Sequence, residues 1–240
     1  MIENDLGSPL DRVSSLTFDI FGTVLDLSGS LIPPLNDLLD ECPDTAQISG
    51  ADVWASWRHR QRIEQYQDNL LMLGHSGYLK VKKRALLYTL RSMKVQFKLG
   101  QIDEFMDAYN HLAPFPDAIA GLNKLKNKFK IVMLSNGEHS YLEKLAAENI
   151  GIEFDSIYSA ETAGQFKPHP SVYRLAANSL NLEPNEIMMV AAHSFDILGA
   201  RHSGYRGAYV NRYDLPYDES NFTPDITVLN FDELCQNLKV

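Results

Sequence analysis

The chain has 240 residues, of which 45% are hydrophobic and 22% are charged, proportions that are ordinary for a globular protein. Its formal net charge of −9 argues against nucleic acid or an anionic membrane surface as the main partner. A site for an anionic substrate must therefore carry its own local positive charge. The two cysteines, Cys42 and Cys235, form no CxxC pattern, so they indicate neither a disulfide framework nor a zinc site.

The N-terminal stretch MIENDLGSPLDR is polar and acidic, which is unlike a signal peptide. No apolar run in the sequence approaches the length of a membrane span. We therefore expect a cytoplasmic protein with no membrane partner.

The first predicted element is a short buried strand at residues 14–20, SSLTFDI, which ends on Asp19. From about residue 30 to residue 109 the apolar residues recur at helical spacing. Pro114 and Pro116 then break the chain before a new helix. The long helical segment is therefore predicted to be an insertion directly after the first strand.

Beyond these prolines, short apolar strands alternate with helices. The predicted strands span residues 129–136, 154–160, 186–192, 207–211 and 226–229. The predicted helices begin near Pro116, Glu138, Pro170 and Phe195. This alternation implies parallel pairing and a layered α/β fold. We predict a parallel-sheet core from residues 13–27 and 112–240, with residues 28–111 inserted as a helical cap domain.

Polar side chains follow four of the predicted strands. In parallel α/β sheets the ligand crevice lies at the carboxyl ends of the strands, where these side chains would converge. They are Asp19, Ser135, Asn136, Lys167, His193 and Asp196.

These residue types suit nucleophilic catalysis. An aspartate at a strand end can act as a covalent nucleophile, and a nearby lysine would keep it ionised. Lys167 lies in a proline-rich loop, where it can do this. Ser135 and Asn136, at the predicted start of a helix, can hold a substrate carboxylate. Asp196 can orient Lys167 or a hydrolytic water.

Asp19-Ile20-Phe21-Gly22-Thr23 and the strand-end residues resemble the haloacid dehalogenase superfamily, and more narrowly the (S)-2-haloacid dehalogenases. The resemblance implies a Rossmann-like core, a helical cap and a homodimer. It also implies hydrolysis of short 2-haloalkanoic acids through an ester on the aspartate. Neither a metal nor another cofactor takes part in that reaction.

The resemblance implies a role for each matching residue. Asp19 would be the nucleophile, supported by Thr23, Lys167 and Asp196. The stretch WRHRQRIEQY matches the arginine segment of the family's cap, so Arg58 would capture the halide. The remaining substrate-binding residues would be Phe21, Ser135, Asn136, Tyr173 and His193.

The fourth motif departs from the family pattern. Where studied dehalogenases have Ser-Ser-Asn, this chain has Ala191-Ala192-His193. The departure keeps two alternatives open: a magnesium-dependent phosphatase of the same superfamily, and a relative that has lost its chemistry. The phosphatase is disfavoured because Phe21 and Ala192 occupy positions where it needs aspartates.

Each candidate residue also has a structural alternative. Asp19 can cap the Gly-Thr turn, and Ser135-Asn136 can cap the following helix. Lys167 can be a solvated loop residue, and Arg58 can belong to a solvated helix face. Tyr173 can pack its ring in a helix, and His193 can be a satisfied side chain at a strand end. Our hypothesis is that His193 positions water or the substrate carboxylate.

Overall fold

The computed structural model describes residues 10–240 of the chain. Most of the N-terminal stretch that we interpreted as unlike a signal peptide therefore lies outside the described residues. Between residues 10 and 240, no helix combines the length and the apolar character needed to cross a membrane.

A six-stranded sheet lies at the centre of the molecule, and each neighbouring pair of its strands is parallel. Its strands, in spatial order, are β5 (Ser156–Ser159), β4 (Lys130–Ser135), β1 (Ser15–Phe18), β6 (Ile187–Ala191), β7 (Arg206–Val210) and β8 (Ile226–Val228). Two shorter strands pair antiparallel outside this sheet: β2 (Leu25–Asp26) and β3 (Ala113–Pro114). Every predicted strand overlaps one strand of the large sheet, so the predicted parallel α/β fold is confirmed.

The long predicted helical segment is also helical in the structure. Between β2 and β3 the chain forms α1 (Leu27–Asp40), α2 (Gly50–Leu70), α3 (Tyr78–Ser92) and α4 (Leu99–Met106), followed by a 3₁₀ turn (Asp107–His111). Helix α2 packs against both α1 and α3. It begins with a capping box in which Ser49 and Asp52 bond each other's backbone N–H. The division into a core and a separate cap domain stays a prediction.

The remaining helices alternate with the strands of the sheet. They are α5 (Ala118–Lys126), α6 (His139–Leu145), α7 (Pro170–Leu180), α8 (Ser194–His202) and α9 (Phe231–Leu238), with a π-helical turn (Ala146–Ile150) after α6 and a 3₁₀ turn (Pro184–Glu186) before β6. Sequence reasoning missed α9 and the strands β2 and β3. Two-residue strands are too short to show any periodicity.

The two faces of the sheet are both covered, which explains why its central strands are mostly apolar and buried on both faces. Strand β6 shows this, because Met188 and Val190 belong to one apolar cluster while Ile187, Met189 and Ala191 belong to another. With both faces filled, the carboxyl edge of the central strands β1, β4 and β6 is the place left for a site.

Candidate active site

Asp19 directly follows the central strand β1, and its backbone N–H donates to the Val190 carbonyl of β6 at 3.0 Å. The carboxylate is buried and accepts hydrogen bonds from Thr23 Oγ1 at 2.8 Å and from Lys167 Nζ at 3.0 Å. Burial alone would raise the pKa of Asp19, but the charge of Lys167 and a hydrogen bond from His193 bring it below its ordinary value. Asp19 is therefore an ionised carboxylate held on both oxygens.

The turn after Asp19 requires its glycine. Gly22 has φ of +91°, and a Cβ there would lie 2.8 Å from the Tyr213 hydroxyl and 2.9 Å from His193 Cε1. The turn brings Thr23 back to Asp19, and Thr23 Oγ1 in turn accepts the Ala192 N–H at 2.9 Å. Thr23 thus links the nucleophile candidate to the end of β6.

Lys167 is 1% exposed, so its interpretation as a solvated loop residue is wrong. Its Nζ donates to Asp19 Oδ1 at 3.0 Å, to Asp196 Oδ2 at 2.5 Å and to the Leu134 carbonyl at 2.8 Å. Its backbone N–H donates to Asn136 Oδ1 at 2.7 Å. Although burial lowers the pKa of Lys167, the two carboxylates raise it further, so the lysine is positively charged.

Asp196 lies on the side of Lys167 opposite Asp19 and is fully buried. Its Oδ1 accepts the Tyr173 hydroxyl at 2.7 Å, and burial raises the pKa of Asp196 to about 6. We expected Tyr173 to bind substrate; in the structure it has no exposed surface and donates to Asp196, and its contact with substrate stays a prediction. Tyr173 supports Asp196, which in turn orients Lys167. We call Asp19, Thr23, Lys167, Tyr173 and Asp196 the nucleophile network.

A small cavity lies over Asp19. Phe21, Asn136 and His193 line it from the strand ends, and side chains of α2 and α3 line it from the other side. We call these helical side chains the cavity roof. They are Arg58, Arg62 and Gln65 of α2, and Tyr78 and Lys82 of α3.

Phe21 fills the position two residues after Asp19. Its ring is buried and stacks on the Tyr78 ring with centroids 4.2 Å apart and an interplanar angle of 17°. An aromatic ring thus occupies the position two residues after Asp19, and the two stacked rings close one side of the cavity.

His193 connects the nucleophile network to the cavity roof. Its Nδ1 lies 3.3 Å from Asp19 Oδ2, and its Nε2 lies 2.8 Å from Arg58 Nη2. Because a guanidinium can only donate, Nε2 is an acceptor and the proton lies on Nδ1, facing Asp19. Burial and the nearby Arg58 charge lower the pKa of His193 to about 4, although its bond to Asp19 opposes this. The ring is therefore neutral near pH 7.

Arg58 reaches into the site, so its assignment to a solvated helix face is wrong. Ser135 and Asn136 do not cap α6, because that helix has Glu138 at its N-cap and no side-chain cap bond. Ser135 is fully buried, and its Oγ has no hydrogen-bond partner among residues 10–240. Asn136 lines the cavity beside Lys167.

Sequence reasoning missed Arg62, Gln65, Tyr78 and Lys82 of the cavity roof. Lys82 is 1% exposed and, with Tyr78, belongs to the buried face of α3. A lysine at an apolar position of a helical pattern was the signal that could have identified it.

Among residues 10–240, no group of three or more His, Cys, Asp or Glu side chains is arranged to hold a metal ion. The cavity instead offers an ionised carboxylate facing a neutral imidazole and several cationic or hydrogen-bond-donating groups. This arrangement suits nucleophilic attack on an anionic substrate whose leaving group carries negative charge away.

Comparison with known proteins agrees with this chemistry. The haloacetate dehalogenase H-2 of Moraxella sp. (strain B) is 27% identical over 96% of this chain and 100% of its own length. The (S)-2-haloacid dehalogenase 4A of Burkholderia cepacia is 30% identical over 90% of each chain. A solved structure of the L-2-haloacid dehalogenase of Xanthobacter autotrophicus with chloropropionic acid covalently bound matches with a TM-score of 0.77. Its sequence is 25% identical, and the match covers 95% of this chain and 98% of that one.

The family model for haloacid dehalogenase-like hydrolases matches residues 13–204, which include every member of the nucleophile network and of the cavity roof. The chain therefore belongs to the haloacid dehalogenase-like hydrolases.

Proposed function

We propose that this protein is a hydrolytic dehalogenase that acts on short (S)-2-haloalkanoic acids through a covalent ester on Asp19. The observation that carries the proposal is the state of Asp19, which is buried, ionised and held by Lys167 and Thr23 under a cavity with cationic walls. The curated relatives named above are dehalogenases of haloacetate and of (S)-2-haloacids, which supports the same reaction.

In the first step, an Asp19 oxygen attacks the substrate carbon that carries the halogen. A carbon–oxygen bond forms, the carbon–halogen bond breaks, and halide leaves with the bonding electrons. Arg58 is the proposed halide acceptor, because a guanidinium in a low-dielectric cavity stabilises a departing anion. Attack from the side opposite the halogen inverts the carbon, so an S substrate gives an R product. Ser135 and Asn136 are proposed to hold the substrate carboxylate.

In the second step, water attacks the carbonyl carbon of the Asp19 ester and releases the 2-hydroxy acid. His193 is proposed to position this water, since its neutral ring lies 3.3 Å from Asp19. Once Arg58 turns to the halide, His193 Nε2 is free to carry the ring proton, and Nδ1, which faces the ester, can take one proton from the attacking water. The other water proton goes to the departing oxygen of the 2-hydroxy acid, and Asp19 is left as a carboxylate. Asp196 has no exposed surface and bonds Lys167 and Tyr173, so its proposed role is to fix Lys167.

A magnesium-dependent phosphatase fits these residues less well. Phe21 and Ala192 stand where that chemistry needs carboxylates, and the Ala192 N–H is already bonded to Thr23. We accordingly propose a reaction that needs no metal. A cytoplasmic location, a homodimeric state and the division into core and cap domains at residues 27/28 and 111/112 remain predictions.

The test is halide release from each enantiomer of 2-chloropropionate in the presence of EDTA. We expect release from the S enantiomer alone, formation of (R)-lactate, and loss of activity in Asp19→Asn. The exposed Asp40→Asn serves as the matched control. Activity that requires added Mg²⁺, or that survives in Asp19→Asn, would contradict the proposal.

A further inference from the structure

Two basic side chains of the cavity roof, Lys82 and Arg62, form no ion pair with any of residues 10–240, although the Asp19 and Glu138 carboxylates favour the charged form of Lys82 through space. Lys82 Nζ makes no hydrogen bond within residues 10–240, and it lies 4.2 Å from the centroid of the Tyr78 ring. The Arg62 guanidinium lies 5.3 Å from the centroid of the Phe195 ring and likewise has no ion pair in that part of the chain. Lys82 is buried and Arg62 is half-buried. A buried charge without a partner is costly, so Lys82 above all needs an explanation.

Two neutral members of the roof are also unsatisfied. The side-chain nitrogen of Gln65 and the hydroxyl of Tyr78 are buried and have no hydrogen-bond partner in the part of the chain that the structure describes. Both residues line the same cavity as Arg62 and Lys82. A native protein rarely buries several donors together without acceptors, so this side of the cavity is built to receive acceptor oxygens.

The balance of charges around the bound substrate indicates how many anionic groups the substrate carries. When Asp19 has become an ester, Lys167 remains paired with Asp196. The departing halide and the substrate carboxylate then supply two negative charges. Arg58 and Arg62 supply two positive charges, and Lys82 can supply a third by taking up a proton when an anion binds beside it. One further anionic group on the substrate would balance the site. It would also provide acceptors for the unsatisfied donors of the roof.

From this juxtaposition we infer that the preferred substrate is a short 2-halodicarboxylate, such as 2-chlorosuccinate, whose second carboxylate binds Lys82 and Arg62. The inference rests on the proposed dehalogenation and adds the substrate class. The chemistry is the same, because Asp19 displaces halide from the carbon next to one carboxylate. Inversion of (S)-2-chlorosuccinate would give (R)-malate and halide.

The cavity over Asp19 adjoins an outer cavity through which a substrate can reach Lys82 and Arg62. Arg58, Arg62 and His193 line both the inner cavity over Asp19 and a neighbouring outer cavity that is also lined by Trp54 and Tyr213. An entering dianion would meet Arg62 first and then Lys82, which has almost no exposed surface.

The experiment compares three S substrates at one ionic strength: 2-chlorosuccinate, its 4-amide and 2-chloropropionate. The amide has nearly the same shape as the diacid but lacks the second charge. We expect kcat/KM for the diacid to exceed that for the amide roughly tenfold or more, with (R)-malate as product. We also expect Lys82→Met and Arg62→Gln each to lower the diacid-to-propionate ratio of kcat/KM roughly tenfold. The exposed Lys80→Met and Arg91→Gln are the matched controls.

The outcomes separate the inference from the proposed function. Halide release from 2-chloropropionate with no advantage of the diacid over its amide would overturn the inference and leave the dehalogenation standing. Ratios that are unchanged in both roof variants would overturn it as well. The absence of halide from all three substrates would instead contradict the proposed function. The diacid–amide comparison uses the unaltered protein, so it stays decisive if a variant fails to fold.

Discussion

The nucleophile network and the cavity roof face each other across the same small cavity, but they differ in whether their ionisable side chains form ion pairs. In the network, Lys167 lies between Asp19 and Asp196, so every buried charge has a partner of opposite sign. In the roof, Lys82 and Arg62 have no such partner within residues 10–240. The network is complete before substrate arrives, whereas the roof lacks the anions that would satisfy it.

This difference has a structural origin. The network residues come after β1, β5 and β6 or lie in the helices that follow them, and both faces of this sheet are filled, so their positions are fixed by the core. The roof residues project from α2 and α3, which lie in the long insertion between β2 and β3. A nucleophile whose position is fixed suits a reaction with one geometry. Roof side chains that lack hydrogen-bond or ion-pair partners suit the recognition of a substrate that brings those partners. Three substitutions test this contrast.

Lys167→Met should have the largest effect, because it breaks the network at its centre. Two buried carboxylates would lose their shared cation, and we expect kcat to fall roughly 10³-fold. The free energy of unfolding at pH 7 should fall by about 3–5 kcal/mol. Halide release and denaturant unfolding measure the two effects, with Lys80→Met as the exposed control.

The stability loss in Lys167→Met should depend on pH with a defined sign. The folded-state pKa of Asp19 is lowered, so its ionised form stabilises the native protein above the ordinary pKa of 3.8 and this stabilisation is lost as pH falls. The gap between the unaltered protein and the variant should therefore narrow as pH is lowered through 3.8. A gap that widens on acidification would contradict the role of Lys167 as the counterion of Asp19.

His193→Asn should have an intermediate effect, because His193 touches both the network and the roof. Asparagine can donate to Asp19 but cannot take up a proton, so hydrolysis of the ester should slow more than its formation. We expect kcat to fall roughly 10²-fold, with a burst of halide release and a covalent adduct visible in the mass of the intact protein. The exposed His202→Asn is the control.

An unchanged turnover number and Michaelis constant in His193→Asn would contradict any role of His193 in the reaction. A fall in kcat without an accumulated adduct would assign the residue to ester formation instead of hydrolysis.

The network was predictable from the sequence, and the roof largely was not. Asp19, Lys167 and Asp196 follow short apolar strands, and the geometry of a parallel sheet brings such positions to one edge whatever the details of packing. Their partners were harder to assign. Tyr173 was expected to contact substrate, whereas in the structure its hydroxyl donates to Asp196. A sequence does not show whether a helical side chain points toward a cavity or toward a residue behind it.

The roof depends on how α2 and α3 rotate about their axes over the sheet. Arg58 was predicted only through its family resemblance, and its neighbours Arg60 and Arg62 look identical in the sequence. In the structure Arg60 pairs with Glu64, while Arg62 lines the cavity. A difference of two residues on a helix is a turn of about 200°, so Arg60 and Arg62 project from nearly opposite sides of α2. The sequence does not show which of these two sides faces the sheet.

Lys82→Met should have the smallest effect on the protein without substrate, and its sign is opposite to that of Lys167→Met. Burial holds the pKa of Lys82 in the folded protein well below its ordinary value of 10.5. As pH falls below 10.5, Lys82 therefore takes up a proton in the unfolded chain before it does so in the folded protein. This lowers the stability of the unaltered protein toward neutral pH. Methionine removes the penalty, and we expect the variant to be more stable by about 1–3 kcal/mol at pH 7, with a difference that shrinks above pH 10.5.

Denaturant unfolding of both proteins across this pH range, without any substrate, measures the difference, and Lys80→Met should show none. A destabilised Lys82→Met variant would mean that Lys82 is already satisfied in the empty protein. Lys82, the most buried basic residue of the roof, would then not differ from the paired charges of the network. A stabilised variant would instead show that the fold tolerates an unfavourable lysine at this position, as expected of a side chain whose partner arrives with the substrate.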